Sequence, residues 1–286
     1  MADSNRQLSD QSPLLASHNN HKSYGGYSTL WASIANDALS ALAAGMTVAP
    51  AVSIIDRAVV ESVSGRNTMM RSVSNSLWSL FTRPHRFITS RPFGVMLLLY
   101  GTTYFVANTV DTASALYHNQ PPSTTTAGVA KFLGPTSVNL GLSLYKDTQY
   151  ARMFGQSLGS SLPRTLSRTT YAIFVTRDCM TLFASFNLPA LIAPNIPNSW
   201  EGYVSKAAMA QIASPMLMQI AGAPLHLLGL DLYNRSGKVS AGDRWRKVRE
   251  AWPRTALARM ARVLPAFGIG GIVNTNLRTN LMKRLE

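Results

Sequence analysis

Residues 83–110 read RPHRFITSRPFGVMLLLYGTTYFVANTV. Three arginines, Arg83, Arg86 and Arg91, lead into Pro92. An apolar run follows: Phe93, Val95, Met96, Leu97, Leu98, Leu99 and Tyr100, then Tyr104, Phe105 and Val106. About 20 helical residues cross the roughly 30 Å hydrocarbon core of a bilayer. Lys and Arg gather beside spans on one face of the membrane. The stretch therefore predicts a basic link feeding a membrane-spanning helix, and the same punctuation can be sought outward from it.

Six segments of this kind are found, at about 31–63, 92–117, 127–153, 169–193, 203–233 and 255–281. Those other than the second are richer in Gly, Ala, Ser, Thr and Asn, as in Ala38, Ala41, Ala43, Ala44 and Gly45, or Gly268, Gly270 and Gly271. Small residues let helices approach closely in lipid. Pro121-Pro122 and the group Pro189, Pro194 and Pro197 mark breaks, as turn-forming clusters do. Pro50, Pro224 and Pro265 fall inside segments, where kinks are expected. Hydrophobic residues make up 46% of the 286 and charged residues only 14%, against roughly 25% charged in soluble domains. Mean hydropathy is +0.04, which fits spans with a polar interior.

The net charge of +14 is unevenly placed. Arg66, Arg71, Arg83, Arg86 and Arg91 lie between segments one and two. Arg152, Arg164 and Arg168 lie between three and four. Arg235, Lys238, Arg244, Arg246, Lys247, Arg249, Arg254, Arg259 and Arg262 lie around the link from five to six. The other links hold only Lys131 and Lys206, with Arg6 and Lys22 at the N-terminus and Arg278, Lys283 and Arg284 at the C-terminus. Six spans put alternate links on one side, so this is the positive-inside pattern. A nucleic-acid binder would gather its charge into one patch, so nucleic acid is not an expected partner. Two basic links look amphipathic, through Val73, Leu77, Trp78 and Phe81 and through Trp245, Val248 and Trp252. Short helices there would sit among headgroups and attract anionic lipid such as cardiolipin.

The expected architecture is all-α. A polar, disordered tail covers 1–29, and a six-transmembrane-helix bundle covers 30–281, built from three helical-pair repeats at about 30–118, 126–193 and 200–281. The tail lacks the apolar core of a secretory signal and, with few Arg and some acids, is a poor mitochondrial presequence. Its His18–His21 cluster is read as solvated.

Each odd segment ends in an acid near a base: Asp56 before Arg57, Lys146 before Asp147, and Asp231 ahead of Arg235. The acids stand 91 and 84 residues apart, each followed by a basic link and another apolar segment. In this the chain resembles the mitochondrial carrier family, whose three repeats each end an odd helix in Pro-x-Asp/Glu-x-x-Lys/Arg. Here Ile54, Tyr145 and Gly229 replace the prolines, and Val59, Tyr150 and Asn234 replace the bases. The resemblance implies gate acids at Asp56, Asp147 and Asp231 without a complete ion-pair ring. It also implies a multi-pass protein of the mitochondrial inner membrane with its basic links toward the matrix.

An ionised residue inside a span costs about 2.5–3.5 kcal/mol on insertion scales and so faces protein or water. Asp37, Asp111, Arg177 and Asp178 meet this condition. Arg177 is the candidate contact for an anionic solute. Asp178, Thr102, Asn108, Asn274 and His226 are candidates for the same path, with Thr103 beside them. Single Cys179 excludes an internal disulfide and is expected to be buried. No phosphate-binding glycine loop, HExxH or paired-cysteine site occurs, so neither an enzyme nor a cofactor or metal site is expected. Asn234-Arg235-Ser236 fits a glycosylation pattern on the basic side, where it would be idle. The leading expectation is a carrier moving a small anionic solute by alternating access. The alternative is a non-transporting membrane adaptor that has kept the bundle and lost its gate.

Overall fold

The structure, a computed structural model, describes residues 27–125, 129–155, 166–200, 205–235 and 239–286. Residues 1–26 with the His18–His21 cluster, and Arg164, Lys238, Tyr203, Ala127 and the Ser236 of the glycosylation pattern, lie outside the described residues, whereas 27–29 of the expected tail already belong to the first helix.

The described residues are helical, without strands. Helix α1 is Tyr27–Ser64, α2 Met69–Thr82, α3 Pro84–Ile88, α4 Arg91–Tyr117, α5 Val129–Phe154 and α6 Arg168–Ile192. Helix α7 is Lys206–Asn234, α8 Ala241–Ala261 and α9 Gly270–Met282. Side chains start three of these helices. Thr68, Ser167 and Ser240 accept from the backbone N–H groups of Arg71, Thr170 and Asp243, satisfying donors the first turn leaves open. Pro50 and Pro224 lie within continuous helices. Around Pro265 the chain instead forms a π-helical turn, Leu264–Ile269, that joins α8 to α9. A proline removes one helical hydrogen bond, and a wide turn absorbs the change. Tyr104 donates its hydroxyl hydrogen to the Ala266 carbonyl inside that turn.

The ends of the odd segments lie together. Ser64 Oγ donates to the Phe154 carbonyl at 2.9 Å and Arg66 to the Met153 carbonyl at 2.9 Å. Gly155 sits so close to Asn234 that an added Cβ would lie 2.9 Å from its Oδ1. The C-terminal ends of α1, α5 and α7, from which the three basic links depart, therefore share one end of the bundle. At the other end, Asn36 donates to the Leu281 carbonyl (3.2 Å) and the Ser123 N–H to Glu286 Oε1 (2.9 Å).

Polarity is inverted relative to a water-soluble bundle. Arg177 is 0% exposed, while Phe183 on the same helix is 63% exposed. Leu39, Leu42, Leu98, Leu133, Leu191, Leu217, Leu257 and Ile272 also face outward, and Asp37, Asp56, Lys146, Asp147, Arg259 and Arg278 are buried. Apolar surface outside and charge inside is the distribution a lipid solvent selects.

Among the described residues four stretches are long and apolar enough to cross a membrane: Thr29–Ser64, Arg91–Tyr117, Met209–Asn234 and Ala241–Met282. Helices α5 and α6 have 26 and 25 residues, a sufficient length, but their composition leaves them out of that set. The pairing of helices into repeats is also uneven. Helix α1 packs along α4, and α7 along α8, but α5 lies mainly on α4 and α6 mainly on α7. Polar residues of α5 and α6, among them Asn139, Ser143, Thr181 and Ser185, line a cavity where a tight seam would otherwise form.

The two amphipathic links differ from expectation in instructive ways. Ser72 and Ser76 of α2 are buried, and Met70, Leu77, Trp78 and Phe81 face outward. The apolar side of this helix is thus its free side. Helix α8 is not a short surface helix but a 21-residue one continuing into α9. Val248 is buried within the protein, Trp252 donates Nε1–H to the Ile220 carbonyl at 2.8 Å, and Trp245 is exposed. Cys179, expected to be buried, is exposed. It follows buried Arg177 by two positions, about 200° around a helix, and so turns outward.

Candidate functional site

Five of the nine candidate residues meet in one buried chain of ion pairs. Arg262, just past α8, holds both carboxylate oxygens of Asp56 on α1, at 2.8 and 2.7 Å. Lys146 on α5 joins Asp56 (2.9 Å) to its neighbour Asp147 (2.5 Å). Arg177 on α6 joins Asp147 (2.7 Å) to Asp178 (2.5 Å). The second guanidinium nitrogen of Arg177 donates to His226 Nδ1 on α7 at 2.8 Å. An arginine has only donors to offer, so that ring nitrogen accepts. The chain ties helices from across the bundle on the side facing the basic links.

Behind it, away from those links, lies a cavity of about 70 Å³. It is walled by Tyr100, Asn139, Ser143, Thr181, Ser185 and Gln219, with Asp178, Arg259 and Arg262 at its base. Asn139 and Ser143 precede Asp147 along α5, and Thr181 and Ser185 follow Arg177 along α6, which fixes this order. A second cavity, about 250 Å³, shares Tyr100, Asn139, Leu182 and Ser185 and continues toward Thr103, Tyr104, Lys131 and Thr136. The π-helical turn contributes Ala266 and Phe267 to both.

Charge at the base is unmatched. Among the described residues the cations Lys146, Arg177, Arg259 and Arg262 meet the carboxylates of Asp56, Asp147 and Asp178. Three of the cations sit in ion pairs. Arg259, 2% exposed, has a hydrogen bond from Nε to Gln219 Oε1 (3.0 Å) and no ion pair among the described residues. Asp178 Oδ2 is buried without a hydrogen-bond partner among the described residues. A buried guanidinium without a counter-ion is costly unless a ligand supplies one.

The other candidates lie elsewhere. Asn108 and Asn274 exchange amide hydrogen bonds at 2.9 and 2.8 Å, and Asn108 also donates to the Asp37 carbonyl (3.2 Å). They adjoin a second buried cluster at the opposite end. There Arg278 Nε donates to Asp37 Oδ1 at 2.7 Å, and Thr112 donates to Asp37 Oδ2 at 2.5 Å. Arg278 Nη2 also donates to Thr112 Oγ1 (3.0 Å) and the Pro122 carbonyl (3.2 Å). Asp111, on the same helix as Thr112, pairs with Lys131. Thr102 faces an open apolar groove of about 520 Å³ between α1 and α4, beside Leu42, Leu98 and Phe105. Its neighbour Thr103 faces the interior. Asp231 pairs with Arg235 and with Arg244 (2.6 Å), fastening the start of α8 to the end of α7.

Arg259 and Arg262 were read from the sequence as part of a basic link. They fall inside the sixth apolar segment three residues apart, a spacing that puts both on one helix face. That spacing was the available signal for two residues of the site. Lys146 was visible as the base beside Asp147, whereas Gln219, Asn139 and Ser143 carried no signal, because each is an isolated polar residue in an apolar run.

The fold and site define an all-helical, multi-pass membrane protein with a charged interior and a polar central cavity. Residues 40–282 match the model of the family described as probable citrulline exporter, and the chain belongs to that family. No curated protein and no solved structure matches it. The match supports membrane transport, in a family of exporters and not of enzymes, and it corrects the resemblance to mitochondrial carriers. The geometry explains the departure. Partners of the odd-helix acids come from Lys146, which precedes Asp147, and from Arg177 and Arg262 farther along the chain. They do not come from a base three positions after each acid, and Asp231 is paired at its own helix end. The inner-membrane, matrix-facing placement rested on that resemblance and loses its basis with it.

Proposed function

We propose that this chain exports a small zwitterionic amino acid of the citrulline type by alternating access. The bundle has six spans, α1, α4, α5, α6, α7 and the continuous α8–α9, in three successive pairs. One observation carries the reading: unmatched Arg259 and the unpartnered oxygen of Asp178 open into one cavity. An α-carboxylate supplies the counter-ion Arg259 lacks, and an α-ammonium supplies the donor Asp178 Oδ2 lacks. Charge-assisted hydrogen bonds of this kind are the strong ones. A purely anionic solute, the expectation from net charge, would answer Arg259 and leave Asp178 facing like charge.

The ion chain from Arg262 to Asp178 serves as the gate on the basic-link side. A gate of paired charges can separate when water and solute replace its partners, and the solute at its upper edge competes for two of its members. This removes the ground for the adaptor reading, which required a lost gate. Around the gate, α2 with its outward Trp78 and Phe81 and with Arg71, Arg83 and Arg86 nearby suits anionic headgroups.

Efflux of labelled citrulline from proteoliposomes holding the full chain tests the reading. Saturable efflux that falls at least about tenfold in Arg259→Gln is expected, since a charged hydrogen bond is worth about 1.5–3 kcal/mol. Absence of flux for every amino acid offered would overturn it.

A further inference from the structure

Resting on that reading, we infer that the larger cavity is the side-chain compartment of the solute site, and that the Lys131–Asp111 pair makes it reject cationic side chains. The solute's head is fixed at the base by Arg259 and Asp178. Its tail extends into the cavity of about 250 Å³ that shares the wall at Asn139. Three methylenes and a ureido group reach roughly a turn and a half of helix from the α-carbon. Lys131 lies two turns from Asn139 on α5 and lines the same cavity.

The tail compartment offers neutral partners. Thr103 Oγ1 accepts from Asn139 Nδ2 at 3.2 Å, and Thr136 lies on the same wall. Aromatic faces of Tyr100, Tyr104 and Phe132 suit the methylenes. Lys131 lines this cavity and forms an ion pair with Asp111 of the neighbouring helix. The ammonium also donates to the Ala107 carbonyl at 2.7 Å. Asp111 is 3% exposed in its side chain and Lys131 27%, so a tail entering the cavity meets the ammonium first. A ureido oxygen can accept from it. The guanidinium of arginine or the ammonium of ornithine, on the same α-amino-acid backbone, meets like charge at Lys131 in a cavity lined by no carboxylate among the described residues, and such juxtapositions exclude wrong partners.

The experiment measures counterflow of labelled citrulline, ornithine and arginine in proteoliposomes for the wild type, Lys131→Gln and the Lys131→Gln/Asp111→Asn pair. The wild type should carry citrulline at least about tenfold better than the two cations. Lys131→Gln removes the ammonium from the cavity wall and takes that cation away from Asp111, and should shift that ratio toward the cations by about tenfold or more. The double variant removes both charges, leaves a neutral wall and should reject cations again. Thr136→Asp, which leaves the native pair in place, should also admit cations if Lys131→Gln fails to fold. Citrulline flux with an unchanged ratio in Lys131→Gln and in Thr136→Asp would overturn the filter and leave the exporter reading standing. A wild type that carries all three equally would do the same. A wild type that carries none would overturn both.

Discussion

The two buried ionic clusters are built from the same residue types and differ in what they join. Asp37, Thr112 and Arg278 link α1, α4 and α9, and α1 already packs along both α4 and α9. There Arg278 also reaches the Pro122 and Thr124 carbonyls (3.2 and 3.5 Å). Asp56, Lys146, Asp147, Arg177 and Arg262 instead link α1, α5 and α6 to the end of α8, and α5 touches α1 and α6 only slightly. A cluster that reinforces an apolar seam has no alternative arrangement. One that bridges a sparse seam can be the main thing holding it shut. The first reads as a clamp and the second as a gate, and this difference can be broken by experiment.

The largest effect is expected at the clamp. Arg278→Met leaves the Asp37 carboxylate buried with Thr112 as its remaining side-chain partner, which should cost about 3–5 kcal/mol. Thermal unfolding in detergent should show loss of most of the folded protein. A midpoint close to wild type would mean that water reaches Asp37 and that the clamp is not closed. The gate should respond less in stability and more in flux. In Asp147→Asn, Lys146 keeps Asp56 and Arg177 keeps Asp178, so a stability loss of about 1–3 kcal/mol is expected. Efflux without counter-solute should rise. If Asp147→Asn unfolds the protein as fully as Arg278→Met does, the two clusters are one kind of structure.

Coupling sharpens the same contrast. Asp56→Asn and Arg262→Gln remove two sides of one ion pair and should be non-additive by about 0.5–3 kcal/mol in a double-mutant cycle. Asp56→Asn combined with Thr112→Val, one change in each cluster, should be additive within about 0.5 kcal/mol. Strong coupling across the clusters would mean that the ends of the bundle move together, with the π-helical turn between them as the natural joint.

The sequence carried the end-to-end plan better than the interior. Basic residues gather beside alternate links of the sequence because arginine crosses a bilayer poorly, and Arg66, Arg83 and Arg235 record that cost one residue at a time. Asp178 was legible for the same reason, as an ionised residue inside an apolar run, whereas Asp56 and Asp147 stood out as acids that close odd segments beside a base. Which base meets which acid was not legible. Lys146 points back to α1, and Arg262 reaches Asp56 across 206 positions, so the pairing depends on helix rotation that no local pattern encodes. The carrier resemblance failed there: acids at similar spacing can be satisfied by quite different bases.

Helix rotation also governs the smallest effect, at two adjacent threonines on α4. Thr103 Oγ1 donates to the Leu99 carbonyl at 2.7 Å, accepts from Asn139 and borders the larger cavity. Thr102, about 100° around the helix, borders the outer apolar groove. Valine keeps the shape of threonine and deletes the hydroxyl. Thr103→Val strips Asn139 Nδ2 of its acceptor inside the bundle, so it should lose about 1 kcal/mol of stability and raise the citrulline KM severalfold. Thr102→Val removes a hydroxyl from a lipid-facing wall, so stability should stay within about 0.5 kcal/mol with flux unchanged. Equal effects at the two positions, read from unfolding and from efflux kinetics, would mean that α4 is rotated from the register on which the cavity depends.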